Sequence, residues 1–291
     1  MTALHTPVML QEVLSYLQPS TGKKYLDATV GYAGHTLGLL AAGASVIGID
    51  RDADLLELAT KRVVDAGYAA NFTPMHSSFS EALASDRLGN DFSGILFDLG
   101  VSSYQLDTPS RGFSFRAEAP LDMRMDASLL VTAKDLVNGL GRKELYELFT
   151  TLGEDVHAKS IASAICDARR LKPIETTTEL ATLVERIAPR TRKIHPATKI
   201  FQALRMAVNG ERAELKAALP SALSHLALGG VVAVISFHSL EDEIVKSWLR
   251  EAEASLELEI ITPHPVTPSP VEINENPRSR SGKLRVGRKI K

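Results

Sequence analysis

The stretch that decides the fold is residues 25–35, YLDATVGYAGH, together with residues 45–50, SVIGID. It predicts a strand, a glycine-bearing turn, a short helix and a second apolar strand that ends on Asp50. In open α/β sheets, ligands bind where the carboxyl ends of strands meet the loops that follow them. Small residues at Gly31, Ala33 and Gly34 allow a ligand to approach the backbone closely, and Asp50 can accept hydrogen bonds from ribose hydroxyls. The stretch therefore predicts a nucleoside-cofactor site.

Two cofactor classes compete for this site. A dinucleotide site normally carries G-x-G-x-x-G, with the pyrophosphate at the helix N-terminus. Residues 31–35 read GYAGH instead, and no arginine close by in the sequence is placed to neutralise phosphate. S-adenosylmethionine has no phosphate. It needs only a backbone that it can approach closely, an acceptor for its ribose hydroxyls and an apolar surface on which its adenine can pack. The sequence therefore favours S-adenosylmethionine as the cofactor. The alternative is that these glycines only form a tight turn and that no ligand binds there.

The composition is typical of a cytoplasmic protein. The 291 residues are 44% hydrophobic and 23% charged, which suits a globular chain of up to two domains. The single cysteine, Cys166, cannot form an internal disulfide, as is usual in a reducing compartment. The longest apolar run, residues 231–237, is too short for a membrane span. Because the N-terminus lacks a basic region followed by an apolar one, we expect no secretion and no membrane partner.

Basic residues are clustered although the net charge is only −2. One cluster lies within residues 186–205 and a second forms the tail, residues 278–291. Basic clusters neutralise phosphates, so both indicate contact with nucleic acid. The alternative is that they are solvated faces.

The chain alternates between two patterns. Strands are predicted at residues 25–28, 46–50, 72–75 and 94–99, with a helix at 54–66 capped by Asp52 or Asp54, which is typical of a parallel α/β sheet. Residues 100–126 read as a long loop, and residues 133–188 are purely helical. The α/β pattern returns with helices at 197–208 and 211–226, a strand at 231–237, a helix at 240–252 capped by Ser239, and a last strand at 284–290, expected at the sheet edge. We therefore predict an α/β domain formed by residues 1–107 and 197–291, the latter with a basic C-terminal tail. Residues 108–196 form a loop and an inserted helical subdomain.

Several side chains could carry chemistry. Asp98 ends the fourth strand and shares the sheet edge with Asp50, although strand-end carboxylates also serve as caps. Phe79 follows the third strand and can pack on adenine or in the core. The eight histidines are scattered without metal-ligand spacing, so no metal is expected, and the sequence around Ser236 lacks the G-x-S-x-G elbow of a serine nucleophile.

Motifs throughout the chain resemble the bacterial 16S ribosomal RNA cytosine N4-methyltransferases, the MraW/RsmH family. They read DLGVSSYQLD at residues 98–107, RGFSF at 111–115, PLDMRMD at 120–126, HPAT at 195–198, FQALR at 201–205, ISFHSLED at 235–242 and NPRSRS at 276–281.

The resemblance implies a class I S-adenosylmethionine-dependent methyltransferase fold, a Rossmann-like, mostly parallel sheet with a helical insertion. It also implies a set of cofactor contacts at Ala33, Gly34, His35, Asp50, Phe79, Asp98 and Gln105. Ala33 replaces a usual glycine of the family and Tyr104 a usual proline. A positive φ at Ala33 would therefore carry a cost, and Tyr104 puts the conformation of the Gln105 loop in question.

The implied substrate is a cytidine of 16S ribosomal RNA in the small subunit. Its exocyclic amine is a poor nucleophile that must be oriented and must lose a proton, and Asp98 is our candidate for that task. The target base must be unstacked. We predict a set of RNA contacts at Tyr104, Phe115, Arg192, Lys193, His195, Arg278 and Arg280. Arg111 and Arg124 could contact the RNA or could pair with a carboxylate such as Asp122, and the sequence does not separate these two roles.

Two alternatives remain open. A methyltransferase that acts on a protein or a small molecule would keep the site from Gly31 to Asp50 but would not need the basic tail, and a methyltransferase that acts on another RNA belongs to the same alternative. A non-catalytic RNA-binding protein would have no reason to align Asp50 and Asp98 on one edge. The sequence leaves the oligomeric state, monomer or homodimer, open.

Overall fold

Seven strands form one sheet in the part of the chain that the computed structural model describes, residues 6–188 and 195–291. They are β1 (Lys24–Asp27), β2 (Ser45–Asp50), β3 (Phe72–His76), β4 (Phe92–Asp98), β5 (Leu226–Ser236), β6 (Leu258–Ile260) and β7 (Lys283–Lys289). Their order in the sheet is β3-β2-β1-β4-β5-β7-β6. Strands β1 to β5 run parallel, and β7 is antiparallel to both β5 and β6. The order reverses between β1 and β4, and α/β sheets bind ligands at the carboxyl ends of such a pair.

Helices connect and flank these strands. Those in the described residues are α1 (Leu10–Leu17), α2 (Gly34–Ala41), α3 (Ala53–Asp65), α4 (Phe79–Leu83), α5 (Ser103–Asp107), α6 (Ala133–Gly139), α7 (Arg142–Thr151), α8 (Ala158–Ala168), α9 (Thr177–Ile187), α10 (Ala197–Asn209), α11 (Glu211–His225), α12 (Ser239–Ala254) and α13 (Pro270–Glu275). Within the same residues, no helix has both the length and the apolar character of a membrane span.

The chain divides into two compact units. The α/β unit comprises Met1–Gly100 and Arg212–Lys291, and the helical unit comprises Val101–Glu211. This differs from the predicted boundaries, which assigned α10 to the α/β domain. The apolar face of α10, with Ile200 and Leu204 fully buried, packs into the core of the helical unit and explains the difference.

Two apolar clusters cover the sheet of the α/β unit. Leu96 belongs to one cluster and its neighbour Phe97 to the other. Because successive side chains of a strand point to opposite faces, the two clusters lie on opposite faces of the sheet. Burial on both faces is typical of parallel strands, which read as continuous apolar runs.

Three further expectations require correction. The predicted edge strand is β7, which pairs with β5 on one side and β6 on the other. The three-residue β6 occupies the edge and is too short to leave a clear sequence pattern. The predicted loop at residues 100–126 contains α5 and a turn of 3₁₀-helix at Pro109–Arg111. The cap of α12 is His238, not Ser239, because the His238 side chain accepts the backbone hydrogen bond of Glu241.

Candidate active site

Three strands end on carboxylates at the same edge of the sheet. Asp27 is the last residue of β1, Asp50 of β2 and Asp98 of β4. Parallel pairing brings the carboxyl ends of these neighbouring strands together. The carboxyl groups therefore surround the point at which the strand order reverses.

Asp50 is fixed by two backbone donors. Its Oδ2 accepts from the N–H of Gly31 at 2.9 Å, and its Oδ1 accepts from the N–H of Asp52 at 2.9 Å. Burial is the main reason why the pKa of Asp50 is raised to about 7, although both hydrogen bonds lower it. The contact with Gly31 ties the end of β2 to the turn after β1, so the two halves of the predicted cofactor site are directly linked.

The turn at residues 28–33 has the backbone that the small residues permit. Gly31 has φ +54°, and a Cβ there would meet only the Thr29 carbonyl oxygen, at 3.8 Å. Ala33 is fully buried with φ +59°, so its methyl group is held in a left-handed conformation that favours glycine. Gly34 also meets a packing constraint, because a Cβ there would lie 2.8 Å from the side chain of Pro7.

An arginine does approach this turn, contrary to the sequence argument. Arg62 of α3 donates to the Tyr32 carbonyl at 2.6 Å, and its guanidinium lies 5.0 Å from the centre of the Tyr32 ring. These contacts hold the turn against α3.

Asp27, at the end of β1, is a buried carboxyl group of the site. It is only 1% exposed, accepts from the Thr36 hydroxyl at 2.6 Å and accepts from the Thr29 N–H at 3.2 Å. Burial outweighs these hydrogen bonds and raises its pKa to about 6. Asp27 lies in the stretch of sequence that decides the fold, but its burial could not be predicted from local sequence.

The two carboxyl oxygens of Asp98 differ in their surroundings, because Oδ2 has a partner and Oδ1 has none among the described residues. Its backbone N–H donates to the Thr29 hydroxyl at 2.6 Å, and Oδ2 lies 3.5 Å from Nδ1 of His35. Oδ1 is buried and has no hydrogen-bond partner among the described residues. Burial and, after it, the charges of Asp27 and Glu241 raise the pKa of Asp98 well above its ordinary value. A buried oxygen without a partner is costly unless a ligand satisfies it.

Phe79 begins α4 directly after β3, and its ring packs edge-on against Phe97, with 5.6 Å between centroids. It is half-buried. Both of its predicted roles, core residue and adenine platform, are compatible with this position.

The residues after β5 add a further acidic group, Glu241, which belongs to the motif at residues 235–242. The Nδ1 atom of His238 accepts from the Glu241 N–H at 3.3 Å, and its Nε2 lies 3.0 Å from Glu241 Oε1. Glu241 Oε2 in turn accepts from the Phe237 N–H at 2.8 Å. β5 pairs with β4 up to Asp98, so the buried Glu241, in the first turn of α12, lies at the same sheet edge. The signal available in sequence was a carboxylate shortly after a buried strand.

The predicted residues of the helical unit have local partners. The buried Gln105 closes a capping box in α5, in which its Oε1 accepts from Ser102 N–H at 3.0 Å and Ser102 Oγ accepts from Gln105 N–H at 3.1 Å. Tyr104, in the first turn of the same helix, is half-buried. The doubt about this loop is resolved in favour of a regular helical turn.

Phe115 and His195 pack on each other within the helical unit, with 4.5 Å between ring centroids. Phe115 also contacts Phe201 edge-on at 4.8 Å, and His195 Nε2 lies 2.8 Å from Glu185 Oε1. These contacts engage both rings and place an acidic group beside His195, whose predicted RNA contact stays a prediction.

The two arginines whose role was open are bound within the helical unit. Arg124 forms a two-pronged pair with Asp122, with both N–O distances at 2.8 Å, and Arg111 donates to the carbonyls of Arg124 and Met125. Both support the loop at residues 120–126, so the carboxylate alternative holds for Arg124.

The basic C-terminal tail is largely a strand of the sheet. Lys283 and Arg285 of β7 both bind Asp242, with closest distances of 3.0 and 2.6 Å. Arg278 and Arg280, in the turn before β7, are exposed. Arg192 and Lys193 lie outside the described residues.

The donor set fits S-adenosylmethionine. Asp50 offers carboxylate oxygens for ribose hydroxyls, Phe79 an aromatic surface for adenine, and Asp98 an unpartnered acceptor. Three carboxyl groups with raised pKa values also favour a positively charged ligand, because a nearby cation stabilises their ionised form. A pyrophosphate is negatively charged, so these carboxyl groups would repel it.

The sheet order, with one antiparallel strand beside β5 and acidic residues at the carboxyl ends of β1, β2 and β4, defines a class I methyltransferase fold. A Clostridium thermocellum protein assigned as an rRNA methylase superposes with a TM-score of 0.51 at 14% identity, covering 99% of this chain and 100% of that one. A Streptococcus mutans protein assigned as a methyltransferase, solved in complex with SAH, gives a TM-score of 0.50 at 10% identity, covering 97% of each chain. At these identities the similarity concerns the fold alone.

The chain belongs to the MraW methylase family, whose model matches residues 2–290. Two proteins named ribosomal RNA small subunit methyltransferase H are similar over nearly their whole length. The one from Persephonella marina is 45% identical, covering 98% of this chain and 99% of its own. The one from Geobacter sulfurreducens is also 45% identical, and all of both chains is covered.

Proposed function

We propose that this protein transfers a methyl group from S-adenosylmethionine to the N4 amine of a cytidine in the 16S ribosomal RNA of the small ribosomal subunit, in the cytoplasm. Its membership of the MraW methylase family supports methyl transfer. The names of its relatives support small-subunit ribosomal RNA as the acceptor. The observation that carries the proposal is the unpartnered, buried Oδ1 of Asp98 at the sheet edge.

The cofactor would be held by residues of the α/β unit. Asp50 would accept hydrogen bonds from the ribose hydroxyls, the turn at Gly31 would allow close backbone approach, and Phe79 would pack on the adenine ring. When bound, S-adenosylmethionine supplies an electrophilic methyl group on a positively charged sulfur. The carboxylates around the site stabilise that charge.

The residue that acts on the substrate is Asp98. The lone pair of a cytosine N4 amine is delocalised into the ring, so the amine must be held with its nitrogen directed at the methyl carbon. Oδ1 of Asp98 accepts a hydrogen bond from the amine and receives a proton when the nitrogen becomes tetrahedral and acidic. A strong base is unnecessary before transfer, because the alkylated amine loses its proton readily.

The RNA backbone would be held by the exposed Arg278 and Arg280. The neighbouring Lys283 and Arg285 are engaged with Asp242, so they contribute to the fold rather than to the RNA contact. Replacing Arg278 and Arg280 should weaken RNA binding and reduce its dependence on salt concentration.

The test is transfer of labelled methyl from S-adenosylmethionine to small ribosomal subunits, separated RNA and ribosomal proteins. We compare the wild-type protein with Asp98→Asn and Asp98→Ala, and use Asp86→Asn, an exposed aspartate of the same unit, as the matched control. Label should enter 16S ribosomal RNA with wild-type protein and Asp86→Asn. Both Asp98 variants should lose turnover by about a hundredfold or more.

Label in protein or in another RNA would refute the substrate assignment. Full turnover by Asp98→Asn would refute the role of Asp98 and leave the substrate assignment intact.

A further inference from the structure

The buried imidazole of His35 is fixed at both nitrogens. It lies in the first turn of α2 and is 5% exposed. Its Nε2 lies 2.9 Å from the carbonyl oxygen of Val8, and a carbonyl oxygen can only accept a hydrogen bond. Nε2 therefore carries a proton, and Nδ1 is the ring atom that can gain or lose one.

That atom faces the carboxyl group of Asp98. Nδ1 lies 3.5 Å from Oδ2, which is an ion-pair distance. Oδ2 thus has a partner that can share a proton, whereas Oδ1 has no hydrogen-bond partner among the described residues. The two oxygens of one carboxyl group are in chemically different positions.

The surroundings make ionisation of Asp98 difficult. In the described residues of the α/β unit, the ionisable groups that act on or lie beside Asp98 are His35 on α2, Asp27 at the end of β1 and Glu241 on α12. Burial, Asp27 and Glu241 all raise its pKa, and His35 is the one group of these that can offer a positive charge or an acceptor. Without His35, Asp98 would hold its proton over a wider pH range and could place it on Oδ1.

We propose that His35 is a positioning residue for methyl transfer: anchored on the Val8 carbonyl, it holds a proton on Nδ1 beside Oδ2, so that Asp98 is ionised and Oδ1 is the acceptor for the substrate amine. This inference rests on the proposed function of Asp98. With the proton on Nδ1 of His35, Asp98 is a carboxylate, and its Oδ1 can first accept a hydrogen bond from the amine and then receive the amine proton.

The proton balance of the reaction is simple. As the N–C bond forms and the C–S bond breaks, the amine nitrogen becomes positively charged and the sulfur becomes neutral. The surplus proton moves from the nitrogen to Oδ1 of Asp98, and it leaves to solvent after the product has departed. His35 transfers nothing to the substrate.

Two variants separate the two contacts of His35. In His35→Gln the amide can reach the Val8 carbonyl but has no titratable group beside Asp98. In His35→Asn the shorter amide can donate to Oδ2 but loses the Val8 anchor. His264→Gln, at an exposed position of the same unit, controls for the substitution itself.

The measurements are kcat against pH, the dissociation constant of SAH by calorimetry, and the pKa of the Asp98 carboxyl by ¹³C NMR in ligand-free protein, assigned with Asp98→Asn. We expect the acidic limb of kcat to move to higher pH in both His35 variants, with the Asp98 resonance titrating at correspondingly higher pH. His35→Gln should lose about a hundredfold in kcat at neutral pH, with a much smaller change in SAH affinity. His35→Asn should recover more activity at high pH, because ionised Asp98 retains a donor at Oδ2.

An equal loss of kcat at every pH, with an unmoved Asp98 titration, would show that His35 is merely structural and would overturn the inference. Failure of the wild-type protein to methylate ribosomal RNA would refute the proposed function instead. The NMR titration would still decide whether His35 controls Asp98.

Discussion

Replacing Asp27 by asparagine should stabilise the protein at neutral pH. The electrostatic part of this gain should develop only as the pH rises above the ordinary pKa of an aspartate. The folded state raises the pKa of Asp27 from 3.8 to about 6. Between these values the unfolded chain is ionised while the folded chain retains the proton, so stability falls as pH rises through this window and stays lower above it. Since one pH unit is worth about 1.36 kcal/mol, the full loss is about 3 kcal/mol.

The asparagine side chain of Asp27→Asn would be isosteric with aspartate and would never ionise. Its carbonyl oxygen can accept from the Thr29 N–H, and its amide can donate to the Thr36 hydroxyl, which then accepts. The advantage of the variant over wild-type protein should therefore grow by about 2.5 kcal/mol between about pH 4 and pH 7.5. Any difference in hydrogen-bond strength adds a constant that does not depend on pH.

The assay is urea unfolding across this pH range, followed by tryptophan fluorescence. The chain has a single tryptophan, Trp248, which lies in a core cluster of the α/β unit, so the signal reports the unit that contains Asp27. Asp86→Asn, at an exposed position, is the control. A pH-independent difference between Asp27→Asn and wild-type protein would refute the electrostatic reasoning, and so would a difference that shrinks as pH rises.

Three further substitutions test other parts of the structure in the same unfolding assay or by thermal unfolding. Arg285→Met should cost about 3 kcal/mol, because it leaves the carboxylate of Asp242 buried with a weaker partner, and adding Asp242→Leu should restore most of that loss; no recovery in the double variant would contradict this. Asn209→Ala should cost about 2–4 kcal/mol, because the side chain satisfies one N–H and two carbonyl groups of the backbone; a thermal midpoint equal to that of wild-type protein would count against it. Ala33→Gly should change stability by less than about 1 kcal/mol, because relief of the positive φ offsets the lost methyl group and the added freedom of the unfolded chain. A gain or loss of twice that size would show that the strain at Ala33 is misjudged.

The first half of the α/β unit was predictable because its signals are local. Strands β1, β2 and β4 are short apolar runs that stop on an aspartate, and their parallel pairing puts Asp27, Asp50 and Asp98 at one edge. The helices of the insertion are likewise visible in their 3.6-residue periodicity. Helices α6 to α9 all lie within the predicted helical stretch, residues 133–188.

What sequence could not provide depends on contacts between distant residues. The position of β7 between β5 and β6 follows from pairing, which leaves no local pattern. The run of basic residues in the tail does not show which side chains are exposed. It therefore indicates a phosphate contact for Arg285, although this residue is buried against Asp242. The family resemblance makes His35 a cofactor contact, but only packing shows that it stands between Val8 and Asp98.

The most direct test of the proposed function is analysis of the methylated nucleoside. Small ribosomal subunits that lack the modification are incubated with S-adenosylmethionine and wild-type protein, and the digested 16S ribosomal RNA is examined by mass spectrometry. We predict N4-methylcytidine in stoichiometric amount, absent when Asp98→Ala replaces the wild-type protein. Methylation of a ring carbon, a ribose hydroxyl or another base would contradict the proposed function, in which Asp98 accepts a proton from an exocyclic amine.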